Sequence, residues 1–202
     1  KVGIGTIRLK NSIAGTIYRV KVNKVGYTHF AIEKNFLSEK QCNRIIESIK
    51  DWNLTKIPAG LHNGWKTGVQ IRDIGVPSTE YMQLFNEAFE EFNNMTYGFK
   101  LVDNYSHFCN RYKPGMVLDW HADEHESVED LFKRTPANRI SCSVFLNEGF
   151  MGGEFELQDI GYWKCPTGTA IFFPSSQVHR GREVTAGTKY NYTIWRKGER
   201  AC

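Results

Sequence analysis

Two histidines, an aspartate, a lysine and a tyrosine carry the chemistry that this sequence can do. His121-Ala122-Asp123 follows Met116-Val117-Leu118-Asp119-Trp120, a run that reads as a strand. Side chains two apart on a strand share a face, so the imidazole and the carboxylate can take adjacent positions on a metal. Two ligands do not close a four-ligand structural zinc site, and a third must come from elsewhere. His179 is the candidate, at the start of a strand after Phe172-Phe173-Pro174-Ser175-Ser176. Two imidazoles and one carboxylate on one face leave coordination positions open, the arrangement of non-haem Fe(II) oxygenases. An HxD pair by itself is more often a surface or hydrogen-bonded couple, so the weight rests on its surroundings.

Those surroundings include a cation. Lys189 begins the strand Lys189-Tyr190-Asn191-Tyr192-Thr193-Ile194-Trp195. Alternation sends Lys189, Asn191, Thr193 and Trp195 to one face and Tyr190, Tyr192 and Ile194 to the other. A lysine pointing into a barrel needs an anionic partner, because burying an unpaired ammonium is costly. Tyr112, on the strand that feeds the metal segment, supplies a phenol. Together the two can bind one carboxylate, by charge and by hydrogen bond. The plainer alternatives are an edge-strand lysine in water and a core tyrosine.

The elements that must position these residues follow from periodicity. Strand-like runs lie at 104–112, 116–122, 139–147, 153–158, 168–174, 178–184 and 188–196, with a weaker one near 162–164. Pro-Gly, Gly-Gly, Pro-Thr-Gly, Pro-Ser-Ser and Ala-Gly-Thr turns separate them. So many short strands with frequent turns indicate a sandwich or jelly roll. Ahead of them, Ser38 and Gln41 have capping-box spacing, and Cys42, Ile45, Ile46 and Ile49 fall on one helical face. A second helix follows Pro77-Ser78, with Tyr81, Leu84, Phe85, Ala88, Phe89 and Phe92 as its apolar stripe. Residues 51–70 read as a Gly- and aromatic-rich loop, long enough for a lid, and residues 1–28 as short strands. The expectation is a mainly β domain with flanking α, spanning 1–202: N-terminal strands and helices over 1–100, then a double-stranded β-helix core over 103–196.

Composition narrows the rest. Hydrophobic residues at 41% and charged residues at 24% exclude a disordered or fibrous chain. No run approaches 18 apolar residues, so no membrane partner is expected. A net charge of +4, scattered rather than clustered, permits nucleic acid as a partner without requiring it. Cys42, Cys109, Cys142, Cys165 and Cys202 are far apart and odd in number, which argues for reduced thiols and a cytoplasmic setting. The chain opens Lys1-Val2-Gly3 without Met or an apolar signal segment, which leaves the natural start open.

Taken together, several segments resemble the 2-oxoglutarate- and Fe(II)-dependent dioxygenases, in particular their prolyl 4-hydroxylase-like group. They are Asn110-Arg111-Tyr112-Lys113-Pro114-Gly115, His121-Ala122-Asp123, Arg139 to Asn147, Gly152-Gly153-Glu154-Phe155, Pro166 to Pro174, and His179 with Lys189 and Trp195. The resemblance covers residues 105–196. It implies that His121, Asp123 and His179 hold Fe(II), that Lys189 pairs with the distal carboxylate of 2-oxoglutarate, and that Tyr112 hydrogen-bonds it. It also implies that Ser141 lines the co-substrate pocket and that Arg139 and Trp195 lie near the substrate. The implied reaction consumes O2 and 2-oxoglutarate and hydroxylates an unactivated C–H of a peptide or protein side chain, proline foremost, with ascorbate as reductant. Loops 55–70 and 124–137 would flank the mouth. Two alternatives stand beside this: an AlkB-like nucleic-acid demethylase, and a non-catalytic cupin-type metal- or sugar-binding module. Gly152-Gly153-Glu154 reads as a hairpin device, and His125, in an acidic run, as part of a solvated loop.

Overall fold

The computed structural model describes residues 4–8, 16–22, 26–62, 65–124 and 135–199. In chain order the N-terminal half comprises β1 (Ile4–Arg8), β2 (Thr16–Val22), β3 (Gly26–Glu33), α1 (Glu39–Glu47), β4 (Asn53–Ile57), β5 (Gly60–His62), β6 (Trp65–Thr67), β7 (Gln70–Gly75) and α2 (Met82–Met95). The C-terminal half comprises β8 (Leu101–Tyr112), β9 (Val117–His121), β10 (Ala137–Phe145), β11 (Met151–Gly152), β12 (Phe155–Leu157), β13 (Gly161–Trp163), β14 (Ala170–Pro174), β15 (His179–Gly181), β16 (Val184–Ala186) and β17 (Lys189–Gly198).

One antiparallel sheet runs β1-β2-β3-β14-β10-β17-β8-β7-β9-β15-β12-β13, with β4 beside β7. It curls until its limbs face each other across a cavity lined by β8, β10, β14 and β17 on one side and β9, β12 and β15 on the other. This is the expected jelly roll. Strand periodicity sorts the side chains as alternation requires. Tyr190, Tyr192 and Ile194 of β17 join Cys109, Cys142 and Val144 against the helices. Tyr112, Phe145, Phe155 and Phe173 pack on the inside.

Both helices form where the pattern places them. Ser38 caps α1 and completes a capping box with Gln41, stabilising the first turn by about 1 kcal/mol. The α1 lead-in is fixed to the barrel: Leu37 N donates to Gly168 O at 3.1 Å. Gly168 sits at φ +80°, and a Cβ there would lie 1.9 Å from the Leu37 carbonyl oxygen, so the approach requires glycine. Phe85, Phe89 and Phe92 of α2 bury against Phe172 and Tyr192.

The expectation of a loop over 51–70 does not hold. β4 pairs in unbroken register with β7, from Asn53↔Ile74 to Ile57↔Gln70, and β5 pairs with β6. Glycine and proline punctuate short strands as readily as loops, and the deciding hydrogen bonds come from residues distant in sequence. The run 153–158 holds the single strand β12, preceded by β11, and the run 178–184 holds β15 and only the first residue of β16; β11 and β16 leave the main sheet to pair with each other. Cys42, Cys109, Cys142 and Cys165 are buried free thiols; Cys202 and His125 lie outside the described residues. No helix among the described residues is long and apolar enough to cross a membrane.

Candidate metal centre

Two strands and the turn after one of them bring the triad together. His121 ends β9 and His179 begins β15, and the two are direct cross-strand partners, with ring centroids 4.2 Å apart. Asp123 follows two residues after His121 and is anchored by its N–H to Ser175 O at 2.9 Å. The ligand atoms of all three lie within 4.8 Å of one another, and all three residues are buried.

Hydrogen bonding sets the imidazole tautomers. His121 Nδ1 lies 2.8 Å from Asp119 O, and His179 Nδ1 lies 2.9 Å from Gln177 O. A carbonyl oxygen only accepts, so each Nδ1 carries the proton and each Nε2 offers its lone pair. Those Nε2 atoms face the Asp123 carboxylate at 3.5 and 3.4 Å. Burial by itself would raise the Asp123 pKa. In the metal-free protein, positive charge on the facing rings of His179 and His121 outweighs it and holds the carboxyl well below the usual carboxylate range, a charge that a bound metal would supply in their place. The indole N–H of Trp195 adds a weak pull in the same direction, though it makes no hydrogen bond to another described residue. Two lone-pair nitrogens and one ionised carboxylate, each braced by backbone, are a donor set suited to a divalent transition metal.

The site opens into a cavity of about 320 Å³, large enough for a small dicarboxylate beside a substrate group. Lys189 and Tyr112 form its inner end as a register pair between β17 and β8. Lys189 is 3% exposed. Its ammonium donates to Gly153 O at 2.7 Å and lies 5.3 Å from the centres of the Tyr112 and Phe145 rings. Burial pulls its pKa down to about 8, with Glu154 opposing, and burial raises Tyr112 to about 12. Among the described residues no carboxylate lies within ion-pair reach of Lys189, so the cavity itself is where its anion must come from. Gly152 and Gly153, at φ +69° and +67°, do not form a hairpin turn. They carry the chain from β11 toward β12 and present the carbonyl that holds Lys189.

Two expected residues fall elsewhere, and a third lines the cavity as expected. Ser141 does not line the cavity. Its hydroxyl donates to Asp123 Oδ2 at 2.7 Å and meets the Ser175 hydroxyl at 2.9 Å, so it orients the Asp123 carboxylate; Ser143, the next inward residue of β10, is the one that lines the cavity. Arg139 does not line the cavity either: its guanidinium ion-pairs with Glu124 and donates to Glu199 O. Trp195 does line the cavity, packed edge-on against Phe108. The sequence reading overlooked a polar row on the same wall. Asn110 donates to Thr193, Thr193 to Asn191, and Asn191 to Ser143. Arg72 of β7 was also overlooked; its Nε donates to Asn110 Oδ1 at 2.8 Å. Facing-strand position was the only signal for these, and the stretch 71–76, to which the sequence pattern assigned no element, hid Arg72. Of the segment 124–137, residues 125–134 lie outside the described residues.

Comparison with known proteins agrees with this geometry. Residues 107–197 match the sequence model of the 2OG-Fe(II) oxygenase superfamily. A PKHD-type hydroxylase of Hyphomonas neptunium is 32% identical over 91 residues, 43% of this chain and 40% of that protein. The match therefore spans well under half the length of that curated relative. Among solved structures, a Pseudomonas putida prolyl-4-hydroxylase superposes with a TM-score of 0.57 at 15% identity, covering 85% of this chain and 93% of that one. A Trichoplax adhaerens prolyl hydroxylase, solved with a hypoxia inducible factor oxygen degradation domain peptide fragment, gives 0.61 at 12% identity, covering 84% and 83%.

Proposed function

We propose that this chain, whose residues 107–197 match the 2OG-Fe(II) oxygenase superfamily, is a 2-oxoglutarate-dependent hydroxylase of a peptide or protein side chain, proline foremost, a reading supported by its likeness to a PKHD-type hydroxylase. The observation that carries the reading is one cavity holding a lone-pair His-Asp-His cluster and a buried lysine that lacks an anion.

His121, Asp123 and His179 would hold Fe(II), which together with O2 and 2-oxoglutarate supplies the oxidation that places a hydroxyl on an unactivated C–H and yields succinate and CO2. The chain's own contributions are distinct. The Asp119 and Gln177 carbonyls keep both Nε2 atoms unprotonated, and Ser141 holds Asp123 in place. Lys189 binds the distal carboxylate of 2-oxoglutarate by charge, and the Tyr112 phenol, kept neutral by burial, donates a hydrogen bond to it. Phe155, Phe173 and Leu118 keep water from the same cavity. Trp195 lies where a substrate group would approach the metal. Arg139 acts at a distance, by fixing Glu124 directly after Asp123. Ascorbate as an accessory reductant belongs to the same reading.

A non-catalytic cupin-type module has no use for a buried ammonium at the far end of a metal cavity. Nor does the modest, scattered charge favour a nucleic-acid demethylase. The test is 2-oxoglutarate turnover. Succinate should form only with Fe(II), and His179→Ala should abolish it; undiminished succinate in that variant overturns the reading.

A further inference from the structure

The cavity wall carries more positive charge than 2-oxoglutarate can use. Arg72, Lys189 and Lys197 line it, against one carboxylate, Asp123. Arg72 is 7% exposed, yet its partners are neutral amides: Nε donates to Asn110 Oδ1 and Nη1 to Gln70 Oε1 at 2.9 Å. Nη2 has no protein partner among the described residues. The neighbouring position shows what pairing looks like on the same strand. Asp73 points the other way and takes ion pairs from Arg111 at 2.8 Å and Lys113 at 3.2 Å. A buried guanidinium held in place by amides and left without a counter-ion is poised for an anion that arrives from outside.

Position and charge together exclude the co-substrate as the sole anion. Asn110, to which Arg72 is fixed, pairs with Asn191, one inward step along β17 from Lys189. Lys197 lies at the other end of the same row, roughly 25 Å from Lys189 along the strand. With a divalent metal bound, the wall would sum to five positive charges from the metal, Lys189, Arg72 and Lys197, against one negative from Asp123. The dianion of 2-oxoglutarate leaves a surplus. Its ends are accounted for, one by the metal and one by Lys189. We propose that the substrate itself bears a carboxylate close to the reacting C–H, received by Arg72 as a bidentate partner, with Lys197 drawing it in at the rim. This rests on the 2-oxoglutarate assignment of Lys189. The carboxylate can belong to a free imino acid or to an acidic side chain beside the target residue; the chemistry is shared.

The experiment uses full-length protein loaded with Mn(II), which does not turn over, and saturated with 2-oxoglutarate. Calorimetric titration then compares matched probes: N-acetyl-L-proline with its amide, and acetyl-Glu-Pro-Glu-amide with acetyl-Gln-Pro-Gln-amide. In wild type the carboxylate member of one pair should bind at least tenfold more tightly, about 1.4 kcal/mol; which pair responds identifies the source. Arg72→Gln should erase the preference while leaving Mn(II) and 2-oxoglutarate affinities within threefold. Arg72→Lys should retain part of it, which separates charge recognition from a folding defect. Equal affinities within both pairs overturn the proposal. So does an Arg72→Gln variant that weakens 2-oxoglutarate as much as it weakens the probe. If 2-oxoglutarate fails to bind the Mn(II) wild type at all, it is the assignment of Lys189 that falls.

Discussion

On the outward face of β17, Tyr190, Tyr192 and Ile194 meet the helices, and Tyr192 stacks edge-on against Phe85. On the inward face, Lys189, Asn191, Thr193 and Trp195 meet a polar cavity and the His121–Asp123–His179 cluster. The residues alternate along a single strand, share its backbone hydrogen bonds, and differ only in what they face. The outward face stabilises the fold through buried area; the inward one spends stability on a buried ammonium, a buried carboxylate and two imidazoles. This division teaches where mutations should register: outward changes in the folding equilibrium, inward changes in ligand binding and turnover.

The largest inward effect is expected at the triad. Asp123→Ala should reduce 2-oxoglutarate-dependent succinate formation to the no-enzyme baseline in a protein that still folds cooperatively, with a lowered unfolding midpoint, because Ser141 and the two imidazoles lose their buried partner. The outward counterpart is Phe89→Ala. Phe89 is fully buried and packs on Phe172, so equilibrium unfolding should show a loss of about 3–5 kcal/mol, with Mn(II) affinity of the folded fraction unchanged. A loss of metal binding there would break the division between the faces.

Ser141 sharpens it. Ser141→Ala removes the hydroxyl from Asp123 and should weaken metal affinity by roughly 10- to 100-fold. Were Ser141 a co-substrate ligand, the apparent affinity for 2-oxoglutarate at saturating metal would fall instead. Lys189→Met should weaken 2-oxoglutarate by about 10- to 100-fold, the scale of a charge-assisted hydrogen bond. Its pH dependence has a fixed sign. Folded Lys189 loses its proton near pH 8, against 10.5 for an ordinary lysine. Between those values the unfolded chain holds the extra proton, so stability of the ligand-free protein should rise with pH across that window. Affinity for the 2-oxoglutarate dianion should fall across the same window, and both trends should vanish in Lys189→Met. The smallest expected effect is Thr193→Val, which cuts the Asn110–Thr193–Asn191 row and should cost about 0.5–1.5 kcal/mol of stability.

Much of this was legible in the sequence because it is local. Ser38 and Gln41 announce the start of α1 at fixed spacing, and the 189–195 alternation assigns inward and outward residues without knowledge of neighbouring strands. The triad was legible because two of its members share one strand end and the third follows a turn. What local pattern does not contain is register. Ser141 and Ser143 both point inward on β10, and only the approach of Asp123 and Ser175 decides which one meets the carboxylate. Arg72 was hidden for the same reason: β7 is defined by pairing with β4, β8 and β9, and an arginine among Gly-rich short strands looks like a surface charge. Gly153 seemed a turn device until the Lys189 ammonium was seen on its carbonyl.

The central claim, that one cavity holds a metal at the triad and the co-substrate between metal and Lys189, is tested most directly by thermal unfolding with Mn(II) and 2-oxoglutarate, alone and together. A ligand that binds only the folded state raises the midpoint by mass action. Mn(II) alone should raise the midpoint, 2-oxoglutarate alone should barely move it, and the two together should exceed the sum, with the excess absent in Lys189→Met. Strictly additive shifts, or an excess that survives in Lys189→Met, would contradict the account.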